Sequence, residues 1–194
     1  MRGYFGIGVA GATKSMNVGS LFRTAHAFGA SFVFTVGAAY SRRVGRGADT
    51  SNAPEQVPFY AFPDAATLML PEGTELVGIE ILDDAIELPS FRHPRQAAYI
   101  LGAERTSLPA DVVARCDHVV RIPTRFSINV ALAGALVMYD RTISLGRFAR
   151  RPLTSGGVPE PVPEHVYGNP RFRKRAARFR AAVPAPAETA RDEG

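Results

Sequence analysis

GYFGIGVAGATKSMNVGSLFRTAHAF, residues 3–28, sets the frame for the rest of the chain. GYFGIGVA (3–10) reads as a buried strand, and the turn-rich GATKSM follows it. Asn17 can cap a helix running to about Phe28, because Val18, Leu21, Phe22, Ala25 and Phe28 recur at helical spacing and Gly29 supplies a stop. Gly6, Gly8 and Gly11 match G-x-G-x-x-G, the pattern with which dinucleotide-binding folds admit a pyrophosphate at a helix N-terminus. The surroundings argue against that use. Gly6 and Gly8 fall inside the strand, and the helix begins several residues late. No Asp or Glu occurs between Arg2 and Asp49, so the ribose-binding acid expected about 20 residues on is missing. A nucleotide-dependent oxidoreductase is therefore disfavoured.

Working outward, SFVFTVG (31–37) reads as a second strand, followed by a long polar loop over 38–55 that carries Arg42, Arg43 and Arg46. VPFYAF (57–62) predicts a short strand, with a short helix after Pro63. ELVGIEI (75–81), AAYILG (97–102) and HVVRIP (118–123) are three further core strands, the last stopped by Pro123. Pro109 opens a short helix to about Arg115. A long helix runs from Asn129 to about Phe148, and its first part, VALAGALVMY, is apolar nearly all round. That predicts burial on several sides. Its Ala and Gly residues allow close approach by another helix, and a homodimer interface is one candidate surface. Strands alternating with helices predict an α/β fold, a mostly parallel sheet with helices on both faces.

Residues 1–150 form the expected globular domain, and composition changes at about Arg151 to a Pro/Gly-rich stretch. In the 151–194 tail, NPRFRKRAARFRAA (169–182) is basic, with Arg171, Arg173, Lys174 and Arg175 as candidate RNA phosphate contacts beside Phe172 and Phe179. The final AVPAPAETARDEG reads as disordered. A formal charge of +5 fits a polyanion partner, although 21 Arg against two Lys also fits a base-composition bias. The single Cys116 suits a reducing cytosol, no run approaches a membrane span of about 20 apolar residues, and no metal is expected. A cytoplasmic location follows as the expectation.

Three patches carry the candidate chemistry. The first, Asn17-Val-Gly19-Ser-Leu-Phe-Arg23, opens the first helix. Asn17 is at least an N-cap, Gly19 admits a close neighbour, and Arg23 lies off the apolar stripe. The second, Ile100-Leu101-Gly102-Ala103-Glu104-Arg105-Thr106-Ser107-Leu108, ends an apolar strand, where α/β ligand sites lie. The third, Arg121-Ile122-Pro123-Thr124-Arg125-Phe126-Ser127-Ile128-Asn129-Val130, ends a strand and leads into the last helix, so Ser127 and Asn129 read as caps or as functional groups.

In order and spacing, the three patches resemble the three motifs of the SpoU-like (TrmH-type) branch of the SPOUT methyltransferases, over roughly residues 3–146. The resemblance departs mildly at Ser107, where glycine is common, and at Ile128, where Leu or Met is usual. It implies an RNA ribose 2′-O-methyltransferase acting on tRNA or rRNA, a trefoil knot formed by the second and third motif regions, and a homodimer. It implies S-adenosylmethionine held by Ile79, Glu80, Ile81, Leu101, Gly102, Ala103, Ile122, Pro123, Ser127 and Ile128, mainly through backbone groups. It also implies a catalytic set of Arg23, Asn17, Glu104, Ser127 and Asn129, with Glu104 holding Arg23 or Asn129 in place. Arg23 would either lose its proton within the substrate complex or stay charged and stabilise the developing alkoxide. A knotted RNA-binding protein without catalysis is the alternative.

Overall fold

Strands β1 (Tyr4–Ala10) and β6 (Gln96–Leu101) lie side by side at the centre of a seven-stranded sheet. On one side follow β2 (Phe32–Val36) and β3 (Phe59–Phe62). On the other follow β4 (Glu75–Ile79), β7 (His118–Arg121) and the two-residue β5 (Ile86–Glu87). Every pairing is parallel. The helices are α1 (Ser15–Ala27), α2 (Ala53–Gln56), α3 (Ala110–Val113) and α4 (Val130–Leu145). This computed structural model describes residues 3–11, 14–38, 40, 53–103 and 107–162, with the side chains of 53 and 54 excepted.

The central strands are apolar throughout because both sheet faces are covered. On one face α1 and α4 pack Val18, Leu21, Phe22, Val130, Val137 and Met138 over Phe5, Ile7, Val9, Val77 and Tyr99. On the other, Leu108, Val112, Ala65 and Leu68 cover Phe34, Leu76, Ala98 and Ile100. Each large apolar side chain so buried contributes roughly 1.5–3 kcal/mol. Gly6 and Gly8 serve this packing: a side chain at either would overlap the Phe32 ring or Phe34. The glycine pattern of β1 is thus a packing device for aromatic neighbours.

Several sequence expectations are corrected. Asn17 is not the N-cap of α1. The cap is Lys14, in extended conformation, and the Asn17 N–H donates to the Lys14 carbonyl at 2.9 Å within the first turn. At the other end Gly29, at φ +73°, stops the helix. Ala30 N–H donates to Ala25 O and Gly29 N–H to His26 O, which satisfies two of the last-turn carbonyls. No helix follows Pro63. Asp64 Oδ1 instead accepts the Thr67 N–H at 2.8 Å, and the Arg115 guanidinium takes the Ala65 and Leu68 carbonyls. Strand β5 was not expected.

Helix α4 is buried on one side only. Val130, Ala133, Gly134, Val137 and Met138 face inward, while Leu132, Leu136, Tyr139 and Ile143 are exposed in a single stripe. Gly134 does permit close helix approach, but the neighbour is α1 of the same chain: a methyl there would overlap Leu21. The chain divides into two compact units, Met1–Phe148 and Ala149–Gly194. The described part of the second is irregular, with a turn closed by Gly157 N–H on Thr154 O.

Candidate functional site

The strand order reverses direction at the centre of the sheet. In parallel sheets such a point leaves a crevice beyond the carboxyl ends of the strands. Here a cavity of about 430 Å³ opens at the ends of β4, β6 and β7. Its walls are Ile79 at the end of β4 with Glu80 and Ile81 after it, then Leu101 at the end of β6 with Gly102, Ala103 and Ser107 beyond. Ile122, Thr124, Ser127 and Ile128 after β7, with Val130 and Ala133 at the start of α4, complete it.

Local chemistry explains each wall. Gly102 follows the last β6 residue, and a methyl there would stand 3.0 Å from the Leu108 nitrogen and 3.3 Å from Glu80 Oε2. A side chain there would press on both neighbours, and glycine leaves that space open. Pro123 has no N–H and ends β7, and Thr124 N–H turns back onto Ile122 O at 2.7 Å. Asn129 caps α4, its side chain accepting the Ala131 N–H at 2.9 Å. The cavity thus combines apolar walls with hydroxyls and backbone groups. Glu80 is the one charged side chain among its described lining residues.

Nine of the ten residues expected to hold a cofactor line this cavity; Pro123, exposed between two of them, does not. Ser107, Thr124, Val130 and Ala133 line it as well and were not singled out, although the first three lie inside quoted patches. Arg23 is exposed and Asn17 half-buried on α1, and neither lines the cavity. Asn129 lies just beyond the lining, at the head of α4. Glu104, Arg42, Arg43, Arg46, Arg171, Arg173, Lys174 and Arg175 lie outside the described residues. Among the described residues no group of three or more His, Cys, Asp or Glu could hold a metal ion, and no helix is long and apolar enough to cross a membrane. Burial pushes the Cys116 thiol up to about 11.

A second polar cluster, unanticipated from sequence, sits at the opposite end of the sheet. Arg141 of α4, only 1 % exposed, donates to the carbonyls of Tyr4, Pro94 and Arg95 and to the Tyr99 hydroxyl. Its guanidinium lies 5.2 Å from the centre of the Phe5 ring. Buried His93 joins Tyr99 Oη at 2.6 Å through Nδ1 and Asp140 Oδ2 at 2.9 Å through Nε2. Desolvation lowers the His93 pKa below its usual value, outweighing the pull of Asp140, and burial raises Tyr99 to about 12. The signal available in sequence was Asp140-Arg141 directly after an apolar decapeptide.

An all-parallel α/β sheet with a cavity beyond its strand ends defines a ligand-binding class of protein. The chain belongs to the SpoU rRNA Methylase family, whose model matches residues 5–139. It is 27 % identical over 132 residues to the tRNA (guanosine(18)-2'-O)-methyltransferase of Escherichia coli K12, covering 66 % of this chain and 58 % of that protein. It is 29 % identical over 138 residues to the Mus musculus tRNA (guanosine(18)-2'-O)-methyltransferase TARBP1, covering 66 % of this chain and 9 % of that one. The chain therefore spans little more than half of the bacterial relative and a small part of the mouse one. The fold is shared with the AdoMet-bound rRNA methyltransferase of Sinorhizobium meliloti, with TM-score 0.65, 20 % identity, and 75 % and 58 % of the two chains covered. It is shared too with the AdoMet complex of the SpoU methyltransferase AviRb of Streptomyces viridochromogenes, with TM-score 0.64, 23 % identity, and 74 % and 62 % covered.

Proposed function

We propose that this protein transfers a methyl group from S-adenosylmethionine to a ribose 2′-OH of RNA, tRNA or rRNA. The observation that carries this reading is the cavity at the ends of β4, β6 and β7, walled by the second and third sequence patches. Its volume falls within the roughly 300–1,000 Å³ of small-molecule sites. Ile79, Leu101, Ile122, Ile128 and Val130 offer apolar walls for a purine, Ser107, Thr124 and Ser127 offer hydroxyls, and the Glu80 charge suits a cationic ligand. The bound cofactor supplies a methyl already activated on a sulfonium.

The chain's own residues then do the rest. Gly102, Ala103 and Ile122 hold the cofactor mainly through backbone groups, with Pro123 shaping the wall, and Ser127 faces the reacting end. Arg23 serves the ribose side, either taking the 2′-OH proton or stabilising the alkoxide. Asn17, Glu104 and Asn129 complete the catalytic set, with Glu104 holding Arg23 or Asn129 in place. The second and third motif regions thread through each other as a trefoil knot within the 1–150 domain. The exposed stripe Leu132, Leu136, Tyr139 and Ile143 supports a homodimer through α4. Arg42, Arg43 and Arg46, with Arg171, Arg173, Lys174 and Arg175 of the 151–194 tail, contact RNA phosphates. The lone Cys116 suits a cytosolic setting.

The test is methyl transfer from labelled S-adenosylmethionine to fractionated tRNA and rRNA, followed by nucleoside analysis. Label in 2′-O-methyl nucleosides is expected, with tRNA the first substrate to try given the curated relatives. Cofactor binding without any transfer would favour the non-catalytic RNA-binding reading, and a cavity that binds no cofactor would sink both. A monomeric mass across micromolar concentrations would remove the dimer.

A further inference from the structure

One residue just past a strand end ties three segments together through its backbone and its carboxylate. Glu80 immediately follows β4, and its own N–H donates to the Val120 carbonyl of β7 at 3.1 Å. Its side chain turns the other way. Oε1 accepts the Ile81 N–H at 2.8 Å, and Oε2 accepts the Leu108 N–H, beyond β6, at 2.6 Å. We propose that Glu80 is the positioning residue of the cofactor cradle: it clamps the chain after β6 against the ends of β4 and β7, and cofactor affinity depends on that clamp.

The surrounding residues fit such a part. Leu108 is 5 % exposed, its side chain set in the core beside Val112 and Ile100, so the clamped segment is anchored on both its side-chain and backbone sides. Gly102 leaves the room that the arrangement needs, because a methyl there would press on both the Leu108 nitrogen and Glu80 Oε2. Ser107, next to the clamped amide, lines the cavity, as do Glu80, Ile81 and Gly102. A displaced Leu108 amide therefore moves cavity wall.

A carboxylate suits this task better than its amide. Each oxygen accepts one backbone N–H, and charge-assisted bonds of this kind are about twice as strong as neutral ones. Glutamine offers one acceptor oxygen and turns an NH₂ donor toward the other N–H. Aspartate keeps the charge but is one methylene too short to span the gap. Within the sequence Glu80 looks like the polar interruption of an apolar strand, ELVGIEI; its partner lies 28 residues on.

The identity of the ligand rests on the methyltransferase reading, but the clamp does not, and the experiment separates the two. Hydrogen exchange at the Leu108 amide and calorimetry with S-adenosylhomocysteine are measured on the full chain, wild type, E80Q and E80D. Both variants are expected to exchange the Leu108 amide about tenfold faster and to bind S-adenosylhomocysteine about tenfold more weakly. Exchange in β1 and β6 stays at the wild-type rate. Should E80Q not fold, E80D carries the comparison. Unchanged Leu108 exchange, or S-adenosylhomocysteine affinity within about twofold of wild type, overturns the proposal. A wild-type chain that binds no S-adenosylhomocysteine sinks the methyltransferase reading and the cofactor half of the inference, while the exchange data still decide the clamp.

Discussion

The two ends of the sheet treat polar groups in opposite ways. At the N-terminal end, Arg141, Tyr99, His93 and Asp140 face one another and the strand-end carbonyls, and most of their donors and acceptors are consumed internally. At the C-terminal end, Ser107, Thr124 and Ser127 are exposed along a cavity wall. The lesson is that a buried charge is not in itself a functional site. Arg141 is the largest fully buried side chain in the described protein, yet it works as a staple between α4 and the starts of β1 and β6. Arg23, the arginine proposed for the chemistry, lies exposed on α1 instead.

The sharpest way to break this contrast is to remove each arginine in turn. Arg141→Met should cost about 3–5 kcal/mol in urea unfolding, because it strips several buried carbonyls of their donor. S-adenosylhomocysteine affinity of the folded fraction should not change. A loss under about 1 kcal/mol would mean that water replaces the guanidinium and that no staple exists.

Arg23→Ala should show the reverse pattern. Methyl transfer should fall by about 100- to 1,000-fold while stability stays within about 0.5 kcal/mol and cofactor affinity is kept. Turnover near the wild-type level would remove Arg23 from the chemistry.

The smallest effect concerns pH and sharpens the N-terminal side of the comparison. Neutral His93 accepts the Tyr99 hydroxyl at Nδ1 and donates to Asp140 from Nε2, an arrangement consistent with the Arg141 donation to Tyr99 Oη. Its lowered pKa means that the folded state binds the proton less readily than the unfolded chain. Stability is therefore complete above the unfolded histidine value, about 6.5, and falls as the pH drops below it. Urea unfolding of wild type and His93→Gln between about pH 7 and pH 5 should show a steeper fall in wild type. Parallel curves would discard His93 as the titrating group.

Much of this frame was readable in the residues. Strands β1, β2, β4, β6 and β7 stand within a residue or two of their apolar runs, because strands covered on both faces leave continuous hydrophobic sequence. Strand β5 left no such trace: Ile86 and Glu87 are both exposed and are held by pairing with β7 and by the Glu87–Arg121 ion pair. Pro63 suggested a helix start, but the Asp64 side chain captured Thr67 locally and Arg115, about fifty residues away, took the carbonyls a helix would have used. Nine cavity residues were legible through motif resemblance. The His93–Asp140 pair was not, since its members are 47 positions apart and neither belongs to a pattern. The exposed stripe of α4 was hidden for a related reason: an all-round apolar sequence does not say which side its own fold leaves uncovered.

The missing side chain at residue 134 has a mechanical consequence. Helix α1, which bears Arg23, rests on α4 through Leu21, and the gap at Gly134 is too small for even one methyl group. Immediately before α4 come Ser127 and Asn129, on the rim of the cavity. That contact joins the helix bearing Arg23 to the helix that begins beside the cavity, so the glycine sets how far apart those two elements stand.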